Sequence, residues 1–220
     1  MKLLLTSGGI TNDNLRNALV EMLGKPIEES SAIIIPTAVL NWDNGPYAVA
    51  DLVRGVGQSA MTNLGWGKLG LMELTTLPFL ERDVWVKNLQ EVDAILVAGG
   101  DALFLAHWMR ESGFADVLPT LDVTYVGLSA GSMALTPRIG SDFVTWNPDG
   151  RSDETIGLVD FSIFPHLEHP GWEENNMAAA DKWSEEIGSL CYAIDDQSAI
   201  RVEDGEVSVI SEGLWKKYEF

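Results

Sequence analysis

The sequence predicts an α/β fold: a mainly parallel sheet flanked by helices, with an antiparallel hairpin near the C-terminus. Three observations carry this. Strand-like apolar runs alternate with segments of helical period along most of the 220 residues. Two runs, Ala32-Ile33-Ile34-Ile35 and Ala94-Ile95-Leu96-Val97-Ala98, are continuously apolar, as in strands buried on both faces of a parallel sheet. Residues 199–203 and 206–210 instead alternate apolar and polar about Asp204-Gly205, the signature of a type I′ hairpin. The length suits one domain with a sizeable core, and no repeat, low-complexity tract or linker divides it, so residues 1–220 are expected to form one domain.

In order, residues 2–6 form a first strand, and Ser7-Gly8-Gly9 a sharp turn at its carboxyl end, the edge where open α/β sheets bind ligands. Thr11 or Asn12 caps a helix whose Leu15, Ala18, Leu19, Met22 and Leu23 share one face, and Gly24 and Pro26 end it. After the strand 32–35, residues 41–46 read as a turn-rich loop, followed by weak helical periodicity interrupted at Gly55 and Gly57. Residues 69–74 are a third strand and 82–90 a short helix. The strand 94–98 runs into Gly99-Gly100-Asp101 and then an apolar helix. Two adjacent glycines at such a turn free N–H groups to face a bound group, which makes Gly99 and Asp101 candidate substrate-binding residues. A strand at 123–126 precedes Ser129, and residues 136–153, rich in Pro, Gly, Ser and Asp, form a long loop over the sheet. A strand at 161–164, a helix at 173–187 and a strand at 190–194 lead to the hairpin.

Composition excludes several functions. Lys and Arg number 14 against 33 Asp and Glu, a net charge of -19, which repels phosphate backbones and anionic membranes. Nucleic acid and membranes are therefore not expected partners. The single cysteine, Cys191, excludes an intramolecular disulfide and a cysteine-based zinc site. Met1-Lys2-Leu3-Leu4-Leu5 is too short an apolar run for a signal peptide, and a cytoplasmic location is expected.

The chemistry centres on Gly127-Leu128-Ser129-Ala130-Gly131, a G-x-S-x-G nucleophile elbow. Its glycines let strand and helix pass closely, so Ser129 projects above the sheet edge and the Ala130 N–H points to where an oxyanion would form. A serine nucleophile needs a base. Of the three histidines, His107 lies in an apolar helix and His169 in a loop, whereas His166 follows a buried strand and the rigid Pro165. His166 is the expected base. For the carboxylate that orients it, Asp196 and Asp195 end a strand at the same edge, and Asp142 lies in the loop after the elbow.

Taken together, Leu5-Thr6-Ser7-Gly8-Gly9, Val97-Ala98-Gly99-Gly100, Gly127-Leu128-Ser129-Ala130-Gly131, Phe164-Pro165-His166 and Ala193-Ile194-Asp195-Asp196 resemble, in order, the S51 peptidases, the family of aspartyl dipeptidase (peptidase E) and cyanophycinase. The resemblance implies a class I glutamine-amidotransferase-like fold and a serine-type dipeptidase-like hydrolase that needs neither metal nor cofactor. It implies Ser129 as nucleophile, His166 as base, and the N–H groups of Gly100 and Ala130 as oxyanion hole. The third member is usually glutamate in that family; here it is Asp196, with Asp195 and Asp142 as alternatives. The segment after the histidine, basic in aspartyl dipeptidases, reads Leu167-Glu168-His169-Pro170-Gly171-Trp172-Glu173-Glu174. That acidic lip points away from strict aspartyl-X specificity unless Arg138 or Arg151 supplies compensating charge. The expected partner is a short peptide, and the apolar tail 213–220 can dock on the core of a monomer or on a second subunit of a homodimer. Alternatives are an isopeptidase or other amide hydrolase on the same site, and a non-catalytic binding protein retaining the fold.

Overall fold

The computed structural model describes residues 1–56, 61–148, 150 and 153–220. Gly57 and Arg151 lie outside the described residues. Strands β1 (Lys2–Thr6), β2 (Ser31–Ile35), β3 (Lys68–Leu71), β4 (Ala94–Val97), β5 (Thr124–Leu128), β8 (Ser198–Glu203) and β9 (Glu206–Ser211) form a seven-stranded sheet in the order β3-β2-β4-β5-β1-β8-β9. The first five are parallel, β8 joins β1 antiparallel, and β9 joins β8 antiparallel. A smaller sheet of β6 (Ser162–Phe164), β7 (Cys191–Ile194) and β10 (Trp215–Tyr218) has β7 at its centre, parallel to β6 and antiparallel to β10.

Period-two side-chain alternation divides the core. Leu4, Ala32, Ile34, Leu96 and Val126 face α1 (Asp13–Leu23) and α2 (Gly45–Val53), packing on Leu15, Leu19, Met22 and Leu52. Leu3, Leu5, Ile33, Ile35, Ile95, Val97 and Tyr125 face the opposite layer. That layer holds α3 (Arg82–Gln90), α4 (Ala102–Glu111), α5 (Phe114–Val117) and α6 (Ala130–Met133), together with one face of the small sheet. The other face of the small sheet packs Phe164, Cys191 and Ala193 under Ala180, Trp183 and Ile187 of α7 (Met177–Ile187). A helix layer on each side explains why β4 and residues 32–35 of β2 are continuously apolar.

Local chemistry sets the ends. Asn12 accepts from the Leu15 N–H at 2.9 Å, and Gly24 closes α1 in the left-handed region. Asp204 and Gly205 both have positive φ, as a type I′ turn requires. The expected loop at 41–46 is shorter than predicted. A 3₁₀ turn covers Thr37–Asn41 and α2 begins at Gly45, because proline is well tolerated in a first helical turn. Helix α7 starts at Met177, not at 173, where Asn176 accepts from the Ala179 N–H. The tail docks on β7 of its own chain as β10, pinned by Lys216 and Tyr218, which both donate to Asp181 at 2.6 Å. No helix among the described residues is long and apolar enough to cross a membrane.

Candidate active site

The site lies where the carboxyl ends of β1, β5, β6 and β7 converge. At the elbow, a Cβ on Gly127 would meet the Gly131 carbonyl carbon and the Ser132 nitrogen at 2.7 Å, and one on Gly131 would meet the Val97 oxygen at 2.3 Å. Strand and helix can therefore approach this closely only without those side chains. The chain turns at Ser129 with φ 48° and ψ −108°, a backbone strain of order 1–3 kcal/mol that the surroundings must hold. The Thr6 carbonyl does part of this, accepting from the Ser129 N–H at 3.0 Å and the Ser132 hydroxyl at 2.8 Å.

His166 comes from the other sheet. Parallel pairing of Phe164 with Ala193, extended by the Leu167 N–H to the Ile194 carbonyl at 3.1 Å, carries Pro165 and His166 alongside residues 194–196. His166 has φ 57°, its N–H donates to the Ser7 hydroxyl oxygen at 2.7 Å, and its Nε2 lies 2.8 Å from Ser129 Oγ. Its Nδ1 lies 2.7 Å from Asp196 Oδ1. With the carboxylate as acceptor, the proton is on Nδ1 and Nε2 is free to accept from Ser129.

Asp196 is held on several sides. The Ser7 hydroxyl donates to Oδ1 at 2.6 Å, and Thr11 donates to its backbone carbonyl at 2.5 Å. A Cβ on Gly8 would come within 2.7 Å of Asp196 Cβ. Burial alone would raise the Asp196 carboxyl, but hydrogen bonds from His166 and Ser7, with the charges of His166 and His169, hold it below the usual carboxylate range. Ser7 is fully buried, and sequence reasoning assigned it only to a turn. Its position at the carboxyl end of a strand is the signal that could have singled it out.

The other candidates are placed differently. Asp195 faces away from His166: Oδ1 accepts from the Gln197 N–H and the Ser198 hydroxyl, and Oδ2 from the Leu214 N–H at 2.5 Å. It ties the hairpin and tail together. Asp142 is exposed at the cleft lining. Asp101 also lines the cleft, but its carboxylate caps α4 through the Phe104 N–H at 2.9 Å and accepts from Asn41 and Thr145. Gly99 lines the cleft too, where a Cβ would meet Leu128 Cδ2 at 2.5 Å. Arg138 does not reach the cleft; its Nε donates to both oxygens of Asp153 at 3.0 and 3.1 Å. It is thus not placed to neutralise the acidic lip. Gly100 lines the cleft at φ 137°, where a Cβ would collide with the Ala38 carbonyl at 2.4 Å. Ala130 is buried beneath the serine. Neither the Gly100 nor the Ala130 N–H has an acceptor among the described residues.

The cleft above Ser129 encloses about 660 Å³. Trp42, Phe143, Met133 and Trp172 supply apolar walls; Asp142 and Glu174 supply charge; among the described residues no Lys or Arg lines it. Burial pushes the Cys191 thiol up to about 12, so it stays protonated near neutral pH. Among the described residues, no group of three or more His, Cys, Asp or Glu side chains is arranged to hold a metal ion.

No curated protein matches the chain significantly. Solved structures do. A candidate peptidase E protein from Listeria monocytogenes EGD-e superposes with a TM-score of 0.67 at 21% identity, covering 96% of this chain and 98% of that one. A peptidase from an acI-B1 Actinobacterium superposes with a TM-score of 0.57 at 18% identity, covering 99% and 93%. Both show a shared fold. The model of peptidase family S51 matches residues 3–210, nearly the whole described fold including the elbow and both strand ends beside it, and the chain belongs to that family.

Proposed function

We propose that this chain is a serine peptidase acting on short peptides through an acyl-enzyme. One observation carries the reading: Ser129 Oγ, His166 and Asp196 stand in an unbroken relay of 2.8 and 2.7 Å at the floor of an open cleft. His166 Nε2 takes the Ser129 proton as Oγ attacks the scissile carbonyl. Asp196 keeps Nδ1 protonated and stabilises the imidazolium that forms. The Gly100 and Ala130 N–H groups, without an acceptor among the described residues, receive the developing oxyanion. His166 then protonates the leaving amine, and water, activated by the same ring, releases the acyl group.

The cleft lining argues for neutral or cationic peptides over acidic ones. Asp142 and Glu174 face the substrate without a Lys or Arg among the described lining, so a second carboxylate entering there meets uncompensated like charge. A mixed dipeptide library incubated with wild-type protein and with Ser129→Ala, read by mass spectrometry, tests both statements. We expect Ser129-dependent loss of dipeptides, with aspartyl-X among the slowest, and a fall in turnover of about 10⁴-fold or more in the variant. Equal depletion by both proteins would overturn the serine assignment. Preferential loss of aspartyl-X would overturn the charge argument alone.

A further inference from the structure

Asp196 faces a second imidazole. The Gly171 N–H donates to His169 Nδ1 at 3.0 Å, so in the neutral ring the proton resides on Nε2. That Nε2 lies 3.7 Å from Asp196 Oδ2, whereas Oδ1 is already shared by His166 Nδ1 and the Ser7 hydroxyl. Trp172 holds both rings in place. Its centroid is 4.4 Å from that of His166, edge-on, and 4.4 Å from that of His169 at a tilt of 31°. The two imidazole centroids are 6.0 Å apart. Among the described residues, Asp196 and His166 are the titratable groups that meet His169.

Resting on the serine-peptidase reading, we propose that His169 is a positioning residue of the site: it anchors the second oxygen of Asp196 and sets how strongly that carboxylate supports the His166 imidazolium. The geometry gives this a sign. A neutral His169 turns the N–H end of its ring dipole toward Oδ2 across 3.7 Å, beyond hydrogen-bond length. A protonated His169 places a full positive charge on the far side of the carboxylate from His166 and competes with it for the Asp196 charge.

The test uses His169→Ala and His169→Gln in the full chain. Glutamine keeps an N–H within reach of Oδ2 and removes the titratable charge. We expect kcat/KM on the dipeptide that wild type depletes fastest to fall about tenfold in His169→Ala, as on removing the outer partner of an active-site ligand, and to recover in His169→Gln. NMR of the ring protons at one fixed pH needs no substrate. The His166 Nδ1–H resonance should move in His169→Ala and return toward its wild-type position in His169→Gln, because only the first variant empties the space beside Asp196 Oδ2. Equal activity losses in both variants with an unchanged His166 resonance would mean that His169 only packs the loop, and would overturn the proposal. Activity surviving in Ser129→Ala would instead refute the peptidase reading, and the His166 resonance would still decide whether His169 acts through Asp196.

Discussion

Ser129 rises from β5, which is paired on one side with β4 and on the other with β1 inside the large sheet, whereas His166 and Asp196 follow two strands of the small sheet. Ser129 is fixed by local geometry: glycines at 127 and 131, a strained turn, and a backbone bond to Thr6. His166 and Asp196 are fixed by contacts far apart in sequence. Ser7 reaches 159 residues to His166 and 189 to Asp196, and among the described residues it is the one buried hydroxyl that touches both. The difference teaches that the Ser129 turn can form correctly while its contacts with His166 and Asp196 are broken, so the two halves can be perturbed separately.

Asp196→Asn should break the relay half most severely. An amide cannot hold Nδ1 protonated as a carboxylate does, so Nε2 is left in the wrong tautomer, and turnover should fall about 10⁴-fold with the Ser129 backbone intact. Initial rates and a crystal structure of the variant check this. The same substitution has a pH signature. The Asp196 carboxyl is held below its ordinary value, since hydrogen bonds from His166 and Ser7 together outweigh the burial that would raise it. Its contribution to stability is thus full above the unfolded value near ~3.9 and is lost as pH falls through the lower folded value. Wild type should lead Asp196→Asn in thermal stability at neutral pH, with the lead shrinking below about pH 4.

Gly8→Ala should come next. Gly8 does not occupy the left-handed region, so alanine suits its backbone, but the new Cβ would sit 2.7 Å from Asp196 Cβ and 2.8 Å from Cγ. The carboxylate must shift. A displacement of about 1 Å in a positioned group costs of order 10²-fold in rate. We expect that loss in kcat with a KM nearly unchanged; a variant with wild-type kcat would show that Asp196 is not positioned by this contact.

The same division governs what the sequence discloses. The parallel strands, the elbow, α3 at Arg82–Gln90 and the hairpin at Asp204-Gly205 are written in local patterns: continuous apolar runs, glycine spacing, turn chemistry. Ser129 and His166 are legible as candidates because each follows a buried strand. Choosing among Asp142, Asp195 and Asp196 is not, since that choice depends on which way adjacent carboxylates point, and the Leu214 N–H draws Asp195 aside into space that a side chain at Gly213 would fill. Ser7 is signalled only by its place at the carboxyl end of a strand, and nothing around His169 announces a partner far along the chain. Strand β10 escapes because four residues with two lysines give no strand signal; it forms by pairing with β7 and by the Asp181 contacts. Residues 41–46 mislead because proline signals both a turn and a helix start.

Strand β10 offers the mildest and most selective way to separate the halves. Trp215 pairs with Ile194, the residue before the two aspartates, and the Leu214 N–H fixes Asp195, which in turn accepts from Ser198. Removing residues 215–220 strips β7 of one neighbour and leaves the seven-stranded sheet with all of its strands. The small sheet should then open locally while the large one stays closed. Hydrogen exchange should accelerate across Cys191–Ile194 and remain slow across Thr124–Leu128. Turnover should drop about tenfold, less than for Gly8→Ala, because β6, α7 and Ser7 still hold His166 and Asp196 near their places. Faster exchange in both segments would show that the two sheets unfold as one unit, and the separation between nucleophile and relay would then be one of sequence only.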